Sequence, residues 1–142
     1  MALVSMKKKK MGTVSTMSNA QKQELYQSNQ WSQWLPFPDP KNRGILCAPF
    51  GPGVYQLRNK KTNKFVLFGQ SKNVATRITS LLPSPLGAGI RFNTKKRNVV
   101  KNNLSDIEYR TMALDDKEDA VNFEKYIKQQ EDYMFNEKKR HN

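Results

Sequence analysis

The spacing of apolar and polar positions changes several times along this chain, and each change marks an element. Gly51-Pro52-Gly53 punctuates the entry to a strand, Val54 to Asn59. The polar stretch 59–64 makes a turn, and Phe65 to Phe68 is a second, mostly apolar strand ending at Gly69, so residues 53–69 are expected to form a β-hairpin. Ser71 is placed to cap a helix from about Lys72 to Leu82, with Val74, Ile78, Leu81 and Leu82 apolar, and Pro83 and Pro85 end it. A loop follows. Asn93 or Thr94 can then open a basic helix that runs to Asn103. Ile107, Tyr109 and Thr111 alternate as a third strand would. Asp115 and Asp116 stand where acids favour a helix start, and that helix is expected to reach about Gln130.

Upstream of the hairpin, Ser18 with Gln21 resembles a capping box and predicts a short polar helix to about Gln30. Pro36, Pro38 and Pro40 forbid a regular helix in the segment after it. Trp31, Trp34 and Phe37 are expected to pin that segment to the core, a platform for stacked bases being the alternative. The order α-ββ-αα-β-α implies an α+β domain, with a small three-stranded antiparallel sheet flanked by helices.

Composition narrows the function. The chain has 142 residues, one Cys and one His. That length fits one domain. The Cys and His counts exclude an internal disulfide framework and a zinc finger. The single His, His141, lies next to last in a charged tail, which sets Ser-His-Asp and Cys-His mechanisms aside. No apolar run approaches the roughly 20 residues that cross a bilayer, and the first residues are too short for a signal-peptide core. A soluble, reduced, cytoplasmic protein is the expectation.

Charge changes the picture most. Lys and Arg number 25 against 12 Asp and Glu, a formal net charge of +13. Residues 1–17 hold Lys7 to Lys10 and no acid, and read as a basic disordered arm. Residues 58–110 hold twelve basic and two acidic residues, so most of the excess lies inside the expected fold. A polyanion is the expected partner, because Lys and Arg displace counterions from phosphates. Lys95, Lys96, Arg97 and Lys101 lie along one short helix with Arg91 just before it, and these five cations have no acid between them. They are read as a nucleic-acid contact. For Lys60, Lys61 and Lys64 at the hairpin turn, a solvated face is the favoured reading.

Two charged residues break the amphipathic pattern. Arg77 lies within the apolar stripe of its helix, and Glu124 lies among the inward positions of the last helix. An inward charge is costly unless it is paired or opens into a cleft. A mutual salt bridge or snorkelling to water is one account, and an active site is the other. Arg110, beside Tyr109, is a further inward charge, read as a second phosphate contact or a buried partner for Glu124.

Gly53-Val54-Tyr55, eleven residues, then Leu67-Phe68-Gly69, resembles the motif pair of the GIY-YIG nuclease family. Arg77 lies ten residues after Leu67, Glu124 lies in NFEKYI on a later helix, and Asn136 lies twelve residues after it in YMFN, each similar to the family's pattern. The resemblance covers about residues 50–136. It implies a nuclease domain over 50–136, preceded by a helix and Pro/Trp-rich segment packing on the core over 18–49 and followed by a charged tail at 137–142. It also implies a metal-dependent endonuclease that hydrolyses DNA phosphodiester bonds at a single active site, with catalytic residues Tyr55, Arg77, Glu124 and Asn136. The partner would be DNA, with RNA the alternative, and targeting would come from a partner protein or a homodimer.

The chemistry suits these residue types. Glu124 would hold Mg²⁺ or Mn²⁺, hard ions that prefer oxygen and keep much of their water. The planar fork of Arg77 matches phosphate oxygens. Tyr55 would orient or deprotonate water, its other reading being an ordinary strand aromatic. Asn136 would position a ligand or its own loop. The second tyrosine of the motif is Leu67 here, and leucine cannot transfer a proton. The alternative is therefore a catalytically inactive nucleic-acid-binding module of the same fold.

Overall fold

The computed structural model describes residues 2–4, 14–39, 45–81 and 94–135. It is an α+β structure. Its strands are β1 (Ala2–Val4), β2 (Leu35–Pro36), β3 (Ile45–Cys47), β4 (Gly53–Asn59), β5 (Lys64–Ser71) and β6 (Ile107–Ala113). The α-helices are α1 (Asn19–Tyr26), α2 (Val74–Thr79), α3 (Thr94–Asn102) and α4 (Lys117–Gln130). The main sheet is antiparallel, in the order β2-β6-β4-β5, and has four strands rather than three. The extra strand is the two-residue β2, whose Pro36 stands at the sheet edge opposite Glu108. An edge position tolerates a residue with no N–H to donate. β1 pairs in parallel with β3 to make a separate two-stranded ribbon.

Local signals explain most elements. The capping box is formed: Ser18 Oγ accepts from Gln21 N at 3.1 Å, and Gln21 Oε1 accepts from Ser18 N at 2.8 Å. α1 stops at Tyr26, short of Gln30, because Trp31 Nε1 donates to the Tyr26 carbonyl at 2.8 Å and Ser28 Oγ to that of Leu25 at 2.7 Å, satisfying carbonyls that a further turn would have used. α2 is capped by Asn73, whose Oδ1 accepts from Thr76 N, and not by Ser71, whose hydroxyl bonds to the backbone of Asn73. It is therefore shorter at its start than expected. Asp116 caps α4 as its position predicts. β4 and β5 pair in register until Val66, where the register shifts and one extra residue sits on β5. Val66 and Leu67 consequently both join the same buried cluster.

The sheet carries a core on each face. On one face, Tyr55, Leu57, Leu67, Ile107 and Tyr109 meet Val74, Ala75 and Ile78 of α2 and Val100 of α3. On the other, Val54, Phe68 and Met112 meet Leu25 and Tyr26 of α1, Trp31, and Ala120, Phe123, Tyr126 and Ile127 of α4. Residues 14–17 depart from the expected disordered arm. Val14–Thr16 is a 3₁₀ turn, Val14 is fully buried in the second core, and its N–H donates to Asp119 Oδ1 at 2.9 Å. Among the described residues, no helix is long and apolar enough to cross a membrane.

Candidate functional site

Tyr55 packs over a glycine, Gly69, and Gly53 allows a second close approach nearby in the same sheet. Tyr55 stands in β4 between Gly69 on β5 and Thr111 on β6. A Cβ built on Gly69 would lie 2.3 Å from both Cζ and Oη of Tyr55, so the phenol ring lies flat across Gly69. A Cβ on Gly53 would lie 2.3 Å from the Met112 carbonyl oxygen, which the backbone cannot relieve cheaply. Each glycine allows a close approach that any other residue would block. Tyr55 is buried, and Leu67 beside it is an apolar member of the same cluster.

Arg77 lies on α2, over that same sheet face, and is half-buried. Its backbone takes part in the helix. Among the described residues its guanidinium makes no ion pair or side-chain hydrogen bond, so the expected alternative of a mutual pair with Glu124 is not formed. Glu124 instead pairs with Lys128, one turn on, at 3.2 Å.

Glu124 belongs to α4, on the opposite sheet face. At 100° per residue it lies about 160° around the helix from Tyr126. Tyr126 is the residue that meets α1, donating to Gln23 Oε1 and lying under Lys22. Glu124 therefore sits on the flank turned away from α1, across the sheet from Tyr55 and Arg77. The chain leaving α4 then rounds β5, the outer strand. Tyr133 packs in the second core, Met134 N and Phe135 N donate to the carbonyls of Phe65 and Val66 at 3.3 and 2.9 Å, and Phe135 packs in the first core. So β5 is shared by Tyr55's neighbour Gly69, by both helices, and by the segment leading toward Asn136. Asn136 itself, like Arg91, lies outside the described residues.

Lys95 and Lys101 are exposed on α3, with Lys96 and Arg97 half-buried, and α3 covers the Tyr55 face through Val100. Arg110 is on the other face. Its Nε donates to Gln56 Oε1 at 2.7 Å, and its guanidinium carbon lies 4.2 Å from the Trp31 ring centre and 4.7 Å from that of Trp34. The reading of Arg110 as a buried partner for Glu124 is thereby corrected, since both have other partners. Burial lowers the Arg110 pKa from its ordinary value, with the Tyr26 and Tyr133 hydroxyls opposing the shift.

Sequence reasoning missed the centre of this second face. Gln56 is fully buried, yet every polar atom of its amide is used. Nε2 donates to the hydroxyls of Tyr26 at 3.1 Å and Tyr133 at 2.6 Å, and Oε1 accepts from Arg110. Tyr26 in turn donates to Glu131 Oε2 at 2.8 Å. Burial raises the pKa of Tyr26 and of Tyr133. The signal was present as a polar residue flanked by Tyr55 and Leu57, but a period of two assigns such a residue to solvent. Trp31 and Phe37 are core residues as expected, and Trp34 is partly exposed with Arg58 4.0 Å from its ring centre.

Among the described residues, no three carboxylate, His or Cys side chains converge on a point. The donor set therefore offers no closed cage for a metal. It offers the half-buried carboxylate of Glu124, which is paired with Lys128 one turn on. Comparison with known protein families, with curated proteins and with solved structures finds no match to this chain.

Proposed function

We propose that the chain is a metal-dependent endonuclease of GIY-YIG type, hydrolysing DNA phosphodiester bonds at one site along β5. The observation that carries this reading is the fit of Tyr55 over Gly69, with Arg77, unpaired among the described residues, on the helix that follows. It gives the motif glycine Gly69 a steric reason at the position the family pattern requires. Arg77 binds the scissile phosphate through its planar fork, which a buried ion pair would have prevented. Tyr55 holds the attacking water and takes up or relays its proton at Oη. Glu124 fits Mg²⁺ or Mn²⁺ bound by one protein carboxylate and water, and such an ion, when bound, offsets charge developing on the phosphate. The α3 cations Lys95, Lys96, Arg97 and Lys101 hold the flanking backbone.

The test is a nicking assay on supercoiled plasmid and on branched and single-stranded DNA, with Mg²⁺, Mn²⁺ or EDTA, beside Glu124→Ala. Metal-dependent nicking that vanishes in the variant is expected. One observation favours a second reading. Leu67, at the position of the motif's second tyrosine, is 2% exposed and wholly apolar in its surroundings. Firm, salt-sensitive binding with no cleavage of any substrate would establish the inactive binding module.

A further inference from the structure

The hairpin turn between β4 and β5 carries Lys60, Lys61 and Lys64, all exposed. From sequence alone a solvated turn is the simpler reading, but two features of the fold argue otherwise. The turn is built rigidly. Asn59 Oδ1 accepts from the N–H groups of both Lys61 and Thr62, at 2.9 and 3.1 Å, Asn63 N donates to the Asn59 carbonyl, and Asn63 takes the left-handed conformation (φ 59°) that asparagine tolerates. The turn is also tied to the end of the basic helix. Lys60 N donates to the Asp106 carbonyl at 2.8 Å, and Asp106 closes the 3₁₀ turn Leu104–Asp106 that follows α3 directly. Lys101 and the turn lysines therefore flank one short connection.

Lys60, Lys61, Lys64, Lys95 and Lys101 make no ion pair among the described residues. Of the two acids nearest Lys101 in sequence, Asp106 and Glu108, Glu108 is taken by Arg58 at 2.9 Å. A fixed strip of mutually repelling cations is relieved by a polyanion whose charges are themselves regularly spaced.

We infer that the β4–β5 turn is a second grip on nucleic-acid phosphates, continuous with α3 and separate from the residues that cut. The inference rests on the nucleic-acid reading above and adds to it a contact and a distance. Lys60 is five residues along β4 from Tyr55, roughly 16 Å at strand rise. The turn thus meets the backbone at phosphates that flank the one at Tyr55.

The test measures anisotropy of a labelled DNA duplex against salt, for the full chain, for Lys60→Gln/Lys61→Gln/Lys64→Gln, and for Lys95→Gln/Lys101→Gln. All five positions are exposed, and thermal melting checks that each variant is folded. Both variants are expected to bind more weakly, and the turn variant's log–log salt slope to fall by about two to three units, near 0.9 for each lost phosphate contact. A shallower slope in the α3 variant with an unchanged one in the turn variant would overturn this inference and leave the nucleic-acid reading standing. Absence of salt-sensitive binding by the unaltered chain would overturn both.

Discussion

On the sheet face covered by α2 and α3, a large apolar cluster is buried, and the guanidinium of Arg77, on α2, has no partner among the described residues. On the face covered by α1 and α4, several buried polar groups satisfy one another, Gln56 with Tyr26, Tyr133 and Arg110, and Asp119 with Val14, while Gln70 Oε1 is buried there without a partner among the described residues. The contrast separates two uses of buried polarity. A closed network contributes to a unique fold, because removing one member strands the others. A charge left open beside a tyrosine contributes little to stability and is available to a ligand. The network of the α1/α4 face is accordingly assigned to holding the molecule together, and Tyr55 and Arg77 on the α2/α3 face to chemistry, with Glu124 the one proposed catalytic residue carried by α4.

Substitutions that affect one face and spare the other sharpen this contrast. The largest expected effect is on the closed face. Trp31→Ala removes a ring that touches Tyr26, Phe68, Phe123 and Arg110, and should cost about 3–5 kcal/mol in denaturant unfolding. On the open face, Arg77→Ala should reduce nicking by about 10²–10³-fold while shifting stability by no more than about 0.5 kcal/mol. A variant that melts early would move Arg77 to the closed class.

A third effect is read in alkali. Burial pushes the Tyr109 hydroxyl from 10.0 up to about 12, while the hydrogen bond it accepts from the Cys47 N–H pulls the other way. The folded state therefore holds this proton more tightly than the unfolded state. Its contribution is complete below pH 10 and is lost as pH rises from 10 to 12, on the order of 3 kcal/mol. Unfolding free energies across that range, compared with Tyr109→Phe, isolate it: the variant should show the smaller loss. The smallest of these effects concerns the N-terminal turn. Val14→Ala removes two fully buried methyl groups and should cost about 2 kcal/mol, read as a lowered melting temperature with nicking unchanged below it.

Much of the fold was legible because its signals are local. Gly53 opens the hairpin, which runs past the expected end at Gly69 to Ser71, Asp116 caps α4, and Ser18 with Gln21 builds the predicted box. What escaped depends on distant partners. Nothing in the three residues Val14–Thr16 announces that Val14 will be buried by α4, more than a hundred positions away. β2 is two residues long and half proline, too short to show a period, and it exists because Phe37 N and Tyr109's strand supply its pairing. Ser71, the cap expected from the sequence, has its hydroxyl drawn into a local turn, and Asn73 caps α2 instead. In the candidate site, Tyr55 and Arg77 were legible because glycine spacing and a broken apolar stripe leave marks in one chain. The placement of Glu124 across the sheet from them, and the partners of Arg110, required the tertiary structure.

The most direct test compares one arginine from each face in the same preparation. Arg77→Ala and Arg110→Ala would be measured side by side for Mg²⁺-dependent plasmid nicking and for melting temperature. The account predicts that Arg77→Ala melts like the unaltered chain and does not nick, whereas Arg110→Ala melts several degrees lower and nicks at temperatures where it is folded. An Arg77→Ala protein that nicks normally, or an Arg110→Ala protein that is fully stable and inactive, would contradict the assignment of chemistry and stability to opposite faces of the sheet.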